Sequence, residues 1–254
     1  MPLIQGSRPS ARTAQQSTGR GDASGLHHSL TNDNIMSLTI GKQSDGVSND
    51  AIYRMAFGVV EGWDLSKSCL LVDIGGGSGH FSRMLRPLVE NIHLVDHEIS
   101  NDAVALQCFD FDLNMPWKLA DGCYDAAVAL EVIEHLENPR HFFRELHRIM
   151  KPGGRCIITT PNQLSISSKA SLVTRDYFRD FSDNCYPAHI TALVRRDLER
   201  IAAETGFEVD RIIYSNSGRL PMLRRTWQSV LPWCQGKAFS DNIAISLNKS
   251  PMAN

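Results

Sequence analysis

The spacing of apolar residues changes along the chain, and each change marks an element. From Ala51 to Trp63 the apolar positions Ile52, Met55, Ala56, Val59, Val60 and Trp63 recur at helical spacing, which predicts an amphipathic helix. Short β-rich runs follow at Leu70–Ile74, Ile92–Val95, Leu106–Phe109, Ala126–Leu130, Arg155–Thr160, Glu208–Tyr214 and Ile243–Leu247. Between them lie helical stretches such as Gly79–Val89, Arg140–Met150 and Leu193–Thr205. Strands alternating with helices call for an α/β fold, a seven-stranded, mostly parallel sheet flanked by helices. Lys151-Pro152-Gly153-Gly154 is expected to stop the helix before the fifth strand, because proline cannot continue it and glycine is free to turn.

Composition narrows this picture. The chain has 254 residues, 42% of them hydrophobic, enough for one sizeable α/β core and hardly for two. Residues 1–48, rich in Ser, Gly, Gln, Thr and Arg and without periodicity, read as a disordered N-terminal arm, and residues 49–254 as one domain. Arg8, Arg12 and Arg20 precede the first acid, Asp22, as in organellar transit peptides, but the amphipathic face of such peptides is missing. The ordered pattern begins only after Met36, which makes that residue a candidate start. Lys and Arg number 26 against 28 Asp and Glu, so no global positive field exists to hold nucleic acid. No apolar stretch reaches the length of a membrane-spanning helix. The six cysteines form no C-x-x-C pair and no zinc-ligand pattern, which reads as reduced thiols in a cytoplasmic protein.

Candidate chemistry concentrates after the first strand. Leu70-Leu71-Val72-Asp73-Ile74-Gly75-Gly76-Gly77-Ser78-Gly79-His80 is an apolar strand entering a glycine-rich turn and then a helix. Glycines there permit positive φ and let a ligand lie directly on the backbone, and the helix start presents unpaired N–H groups. The dinucleotide fingerprint G-x-G-x-x-G/A fails, because its third position falls on His80 or Ser82. That failure argues against a nicotinamide-dependent oxidoreductase. The second apolar run ends at Asp96, about 20 residues past the glycine loop, where a carboxylate is placed to accept hydrogen bonds from ribose hydroxyls.

The acid-x-Gly-x-Gly-x-Gly pattern of Asp73, Gly75, Gly77 and Gly79 resembles the first motif of class I S-adenosylmethionine-dependent methyltransferases, which have a Rossmann-like fold. Asp110-Phe111-Asp112-Leu113-Asn114-Met115-Pro116-Trp117 is similar to the family's D-L-N-x-P-F/W segment. Tyr124 to Leu136 with Asn138-Pro139, and Arg148 to Asn162, continue the resemblance, which covers about residues 51 to 215. It implies S-adenosylmethionine as cofactor, with Asp73 and the adjacent backbone at the cofactor's amino-acid end and Asp112 at the adenine amino group. Asp110 is the competitor for that last role, being two residues away on the same face of an extended chain. The implied cofactor-binding set is Asp73, Gly75, Gly77, Gly79, Asp96, Asp112, Leu113 and Leu130.

A sulfonium methyl group is an electrophile, so the protein must exclude water and align the acceptor, and an alcohol acceptor also needs a base. His135, just past the fourth strand, is the first candidate and His189 the second. Either could instead be structural, His135 orienting its loop and His189 making a buried hydrogen bond. Glu131, Glu134, His135 and a distant histidine also resemble the metal-ligating set of small-RNA 2′-O-methyltransferases. The basic residues Arg195, Arg196 and Arg200 look like ordinary helix faces and not an RNA stripe, so the expectation is no metal. Residues 162–191, polar with Tyr177, Phe178, Phe181 and Tyr186, read as an insertion over the acceptor. The expected acceptor is a small molecule or a glycan, methylated on oxygen, and a non-catalytic methyltransferase-like scaffold is the alternative.

Overall fold

A computed structural model of the chain describes residues 49–97, 107–220, 223 and 225–250. The expected arm over 1–48, the candidate start at Met36 and the first residue of the expected third strand, Leu106, lie outside the described residues. In chain order the elements are α1 (Asp50–Glu61), β1 (Leu70–Ile74), α2 (His80–Leu85), β2 (Asn91–Val95), β3 (Gln107–Phe109), β4 (Tyr124–Leu130), α3 (Pro139–Ile149) and β5 (Met150–Pro161). After them come α4 (Ile166–Arg175), α5 (Arg195–Glu204), β6 (Phe207–Tyr214), α6 (Trp227–Val230) and β7 (Asn242–Lys249).

The strands form one seven-stranded sheet in the order β3-β2-β1-β4-β5-β7-β6. β3, β2, β1, β4 and β5 run parallel, and β7 inserts antiparallel between β5 and β6. The strand order reverses beside β1, so the carboxyl ends of β1, β2 and β4 open onto one crevice, the place where such sheets bind ligands. Both faces of the sheet are covered. Val72, Ile74, Ala127 and Ala129 pack with Phe142, Phe143 and Leu146 of α3 and with Leu198 and Ile201 of α5. Leu71, Ala126 and Val128 pack with Ile52, Ala56 and Val59 of α1 and with Phe81 and Leu85 of α2. Strands enclosed on two faces read as near-continuous apolar runs, as β1 and β4 do.

Local chemistry sets the element ends. Asn49 caps α1, its side-chain carbonyl accepting the amides of Ala51 (2.9 Å) and Ile52 (3.2 Å). Helix α2 stops at Leu85, short of the expected Val89: Arg86 keeps helical dihedrals and donates to the Arg83 carbonyl, but Pro87 has no N–H with which to continue the ladder. The Asp197 carboxylate accepts the Val194 amide at 3.2 Å and starts α5 two residues after the expected Leu193. Strand β5 begins at Met150 and includes Lys151 to Gly154, which were expected to be a turn; the irregular register opposite Tyr124 and Ala126 absorbs them. None of the described helices is long and apolar enough to cross a membrane.

Phe142 is fully buried between α3 and the sheet, in edge contact with Trp117 and Phe143. Phe142→Ala is expected to lower unfolding free energy by about 3–5 kcal/mol, seen as a lower urea midpoint with an unchanged slope.

Candidate active site

The glycine loop is held in a conformation that side chains would resist. Gly75, Gly77 and Gly79 have φ of 68°, 51° and 71°. A Cβ at Gly75 would stand 2.4 Å from Cγ2 of Val132, so β1's loop and β4's loop interlock there. The Gly75 amide donates to the Val95 carbonyl at 2.7 Å, and the Gly77 amide donates to Oδ2 of Asp96 at 2.7 Å. Asp96 at the end of β2 thus braces the loop that would face the cofactor. Helix α2 is six residues long, and the Gly79 amide before it donates to the Gly76 carbonyl at 2.8 Å, so the loop's glycine amides hold its own shape.

Asp73 stands beneath this loop and not beside it. Its side chain is buried, accepts a 2.6 Å hydrogen bond from the Ser82 hydroxyl, and packs where a Cβ on Gly76 would be. Burial raises its pKa to about 6, with the Ser82 bond opposing and Asp96 adding to the rise. That electrostatic contact puts Asp73 and Asp96 at one locus. Asp112 is exposed, its Oδ1 accepting from the amide (2.8 Å) and side chain (3.1 Å) of Asn114. The Leu113 carbonyl accepts from Nε1 of Trp117 at 3.2 Å. Asp110, the competitor, is exposed and lies 3.4 Å from Nδ1 of His97. The amide of Asp96 donates to the Phe109 carbonyl at 3.2 Å, which brings the segment carrying Asp112 alongside Asp96. Leu130 is the last residue of β4 and is buried.

Past β4 the chain turns sharply. Glu131 has a φ of 55°, a conformation that L-residues rarely adopt, and both of its carboxylate oxygens are engaged. Oε1 accepts from the Thr159 hydroxyl at 2.8 Å and Oε2 from the Asn242 amide at 2.7 Å, tying this turn to β5 and β7. Glu134 is fully buried. Its Oε2 accepts from Thr160 at 3.1 Å, its backbone carbonyl accepts the amides of Ile190 and Thr191, and its Oε1 has no partner among the described residues. Burial, reinforced for Glu134 by the neighbouring Glu131, pushes both carboxyls well above the usual carboxylate range.

The two candidate histidines meet, although 53 residues separate them: their rings are T-shaped with centroids 4.9 Å apart. Nδ1 of His135 lies 2.8 Å from the Ala188 carbonyl and Nδ1 of His189 lies 2.5 Å from the Asp180 carbonyl. A carbonyl only accepts, so both Nδ1 atoms carry hydrogen, and in a neutral ring Nε2 is then the atom that bears the lone pair. Desolvation, followed by the neighbouring His189, lowers the His135 pKa, opposed by the backbone carbonyls of Ala188 and Glu131 and, least, by Asp96. One ligand atom each from Glu134, His135 and His189 fall within 4.8 Å of one another. Sequence reasoning named these three but missed Thr159, Thr160 and Asn242, which hold the acids. Thr159-Thr160 at the end of β5 was a readable signal, whereas Asn242 had none.

A doubly covered, mostly parallel sheet with a glycine loop and a ribose-placed acid at its switch point defines a class I, Rossmann-like nucleoside-binding enzyme. A methyltransferase-domain family model matches residues 56–212, and the chain belongs to that family of S-adenosylmethionine-dependent methyltransferases. It is 27% identical over 154 residues to a mitochondrial ubiquinone biosynthesis O-methyltransferase of Dictyostelium discoideum, covering 60% of this chain and 42% of that protein. It is 26% identical over 157 residues to the ubiquinone biosynthesis O-methyltransferase of Rickettsia typhi, covering 59% of this chain and 63% of that protein. The chain therefore spans less than two thirds of the length of these relatives. Among solved structures, a putative methyltransferase in complex with the Haloferax volcanii Trm112 activator superposes with a TM-score of 0.59 at 15% identity, over 86% of this chain and 97% of that one. A methyltransferase of Archaeoglobus fulgidus gives a TM-score of 0.56 at 16% identity, over 84% of this chain and 99% of that one.

Asp96→Ala removes the brace on Gly77 and the carboxylate expected to accept from the ribose. Calorimetric titration with S-adenosylhomocysteine should show affinity weakened on the order of 10- to 100-fold, as for loss of hydrogen bonds to a charged group. Unchanged affinity would remove Asp96 from the cofactor site.

Proposed function

We propose that this methyltransferase transfers the methyl group to an oxygen of a small-molecule acceptor held between the glycine loop and residues 162–191, with the His135–His189 pair receiving the acceptor's proton. The observation that carries this reading is the pairing itself. Two rings whose Nδ1 hydrogens are committed to carbonyls offer Nε2 lone pairs at the carboxyl edge of the sheet, and a lowered His135 pKa keeps that ring neutral at neutral pH. The O-methyltransferase relatives favour a small molecule over a glycan. Transfer forms the O–CH3 bond as the S–CH3 bond breaks, the proton passes to Nε2, and S-adenosylhomocysteine leaves. Asp96 holds the ribose, while the loop amides and Leu130 line the cofactor's bed. A cytoplasmic setting belongs to the same reading, since all six cysteines are free.

Replacing His135 and His189 singly by alanine is expected to lower kcat on the order of 10²- to 10⁴-fold with S-adenosylhomocysteine affinity unchanged. In the parent enzyme, kcat should rise as pH climbs through a point below the ordinary histidine range and stay level above it, because the base works in its neutral form. Equal kcat in both variants would sink the histidine base.

A second reading is favoured by the convergence of Glu134, His135 and His189 and by the partnerless, buried Oε1 of Glu134. Those three side chains fit a divalent cation, which when bound would withdraw charge from the acceptor oxygen. Glu131 would not be a ligand, since Thr159 and Asn242 occupy both its oxygens. Exhaustive chelation separates the two readings. Activity retained after chelation supports the base, and activity lost and then restored by added Mn²⁺ supports the cation.

A further inference from the structure

Helix α4 is built inside out. Its buried residues are Ser167, Ser168 and Ser171, while Leu172 and Val173 face solvent, Val173 with 83% of its surface exposed. Two of these serines are held by polar partners: Ser168 donates to Oε1 of Gln163 at 3.1 Å and Ser167 to Oδ1 of Asp241 at 3.4 Å, while the Ser171 hydroxyl has no partner among the described residues. A helix beside a core ordinarily turns its apolar stripe inward, so the stripe of α4 faces something outside this chain.

A second segment shares the feature. The connection from β6 to β7 exposes Leu223 (60%), Val230 and Trp233 (76%). It is joined to α4: the Ile166 amide donates to the Ala238 carbonyl at 2.9 Å, and Asp241, which accepts from Ser167, also accepts the Arg219 amide at 3.0 Å. Among the described residues nine large hydrophobic side chains are exposed, and seven of them fall within 162–191 or 218–240. Both stretches lie at the same edge of the sheet as the site, because Pro161 at the end of β5 pairs with Asn242 at the start of β7.

Charge identifies the partner. The chain carries 28 Asp and Glu, about one in nine residues, yet α4 and residues 218–240 contain none. Their cations include Lys169, Arg175, Arg225 and Lys237, all exposed. Apolar side chains with a tryptophan, accompanied by four exposed cations against the one exposed acid Asp176 at the C-cap of α4, match the boundary between acyl chains and anionic headgroups. We propose that α4 and residues 225–240 form a peripheral docking surface for anionic membrane lipid, which sets the mouth of the site against the bilayer. The surface is independent of the acceptor's identity, and docking requires neither cofactor nor turnover.

Flotation of the full chain with vesicles tests it. Binding is expected to vesicles of phosphatidylcholine mixed with phosphatidylglycerol, to weaken as salt rises, and to be absent with phosphatidylcholine alone. Trp233→Ser, and separately the pair Arg225→Glu and Lys237→Glu, should each reduce the vesicle-bound fraction on the order of tenfold, with S-adenosylhomocysteine affinity kept as the check on folding. Binding that ignores all of these substitutions, binding equal on neutral vesicles, or no binding would overturn the proposal. So would a lipid-free dimer by light scattering that Trp233→Ser dissolves, since a second copy would then cover the face.

Discussion

The site has two halves, and they can share a crevice because Gly75 has no side chain. Val132 fills the space that a Cβ would need, so the loop after β1 and the turn after β4 lie against each other at van der Waals distance. Asp96 fastens one side of this joint by holding the Gly77 amide, and Glu131 fastens the other by holding Thr159 and Asn242. A positive φ occurs on each side, at Gly75 and at Glu131. Glycine accepts it without strain, whereas for Glu131 it is unfavourable, on the order of 1–3 kcal/mol, and persists because the two hydrogen bonds determine the turn.

The consequence reaches the chemistry. Once the turn at Glu131 is set, Glu134 points inward and its carbonyl takes the amides of Ile190 and Thr191. That pair of bonds draws in the far end of the 162–191 segment, and with it His189, until its ring meets His135. Burial makes a carboxylate costly and favours the neutral form of both glutamates, and Glu134 also has an Oε1 without a partner among the described residues. The same segment explains why the region over the site is polar within and apolar without. Its serines, Asn162 and Gln163 satisfy one another and the backbone near Ser240, leaving its aliphatic residues outside.

Much of this was legible along the chain. The alternation of strand and helix foretold the seven-stranded, mostly parallel sheet, since parallel strands buried on two faces must be apolar throughout. The spacing of Asp73, Gly75, Gly77, Gly79 and Asp96 announced a tight glycine loop with an acid beside it, because loop and acid sit within one βαβ unit and local geometry brings them together. Helix α4 was not legible: with serines buried and Leu172 exposed, its hydrophobic period carries no inward stripe to detect. Asp73 was readable as an acid of the motif but not as a brace under the loop, a distinction that depends on the Ser82 rotamer packed above it.

By itself, then, the order of residues determined the architecture and the glycine loop at its switch point, which rest on periodicity and on contacts within about 30 residues, and its motifs pointed to the methyltransferase family. Only the tertiary structure decided that His135 and His189 are partners, that Glu131 is a strut and Glu134 an inward acid, and that Asn242 supports a turn 111 residues away. Those contacts form across β4, β5 and the antiparallel β7, and long-range pairing of polar side chains leaves no period in a sequence, because a single hydrogen bond asks only for one donor and one acceptor in reach.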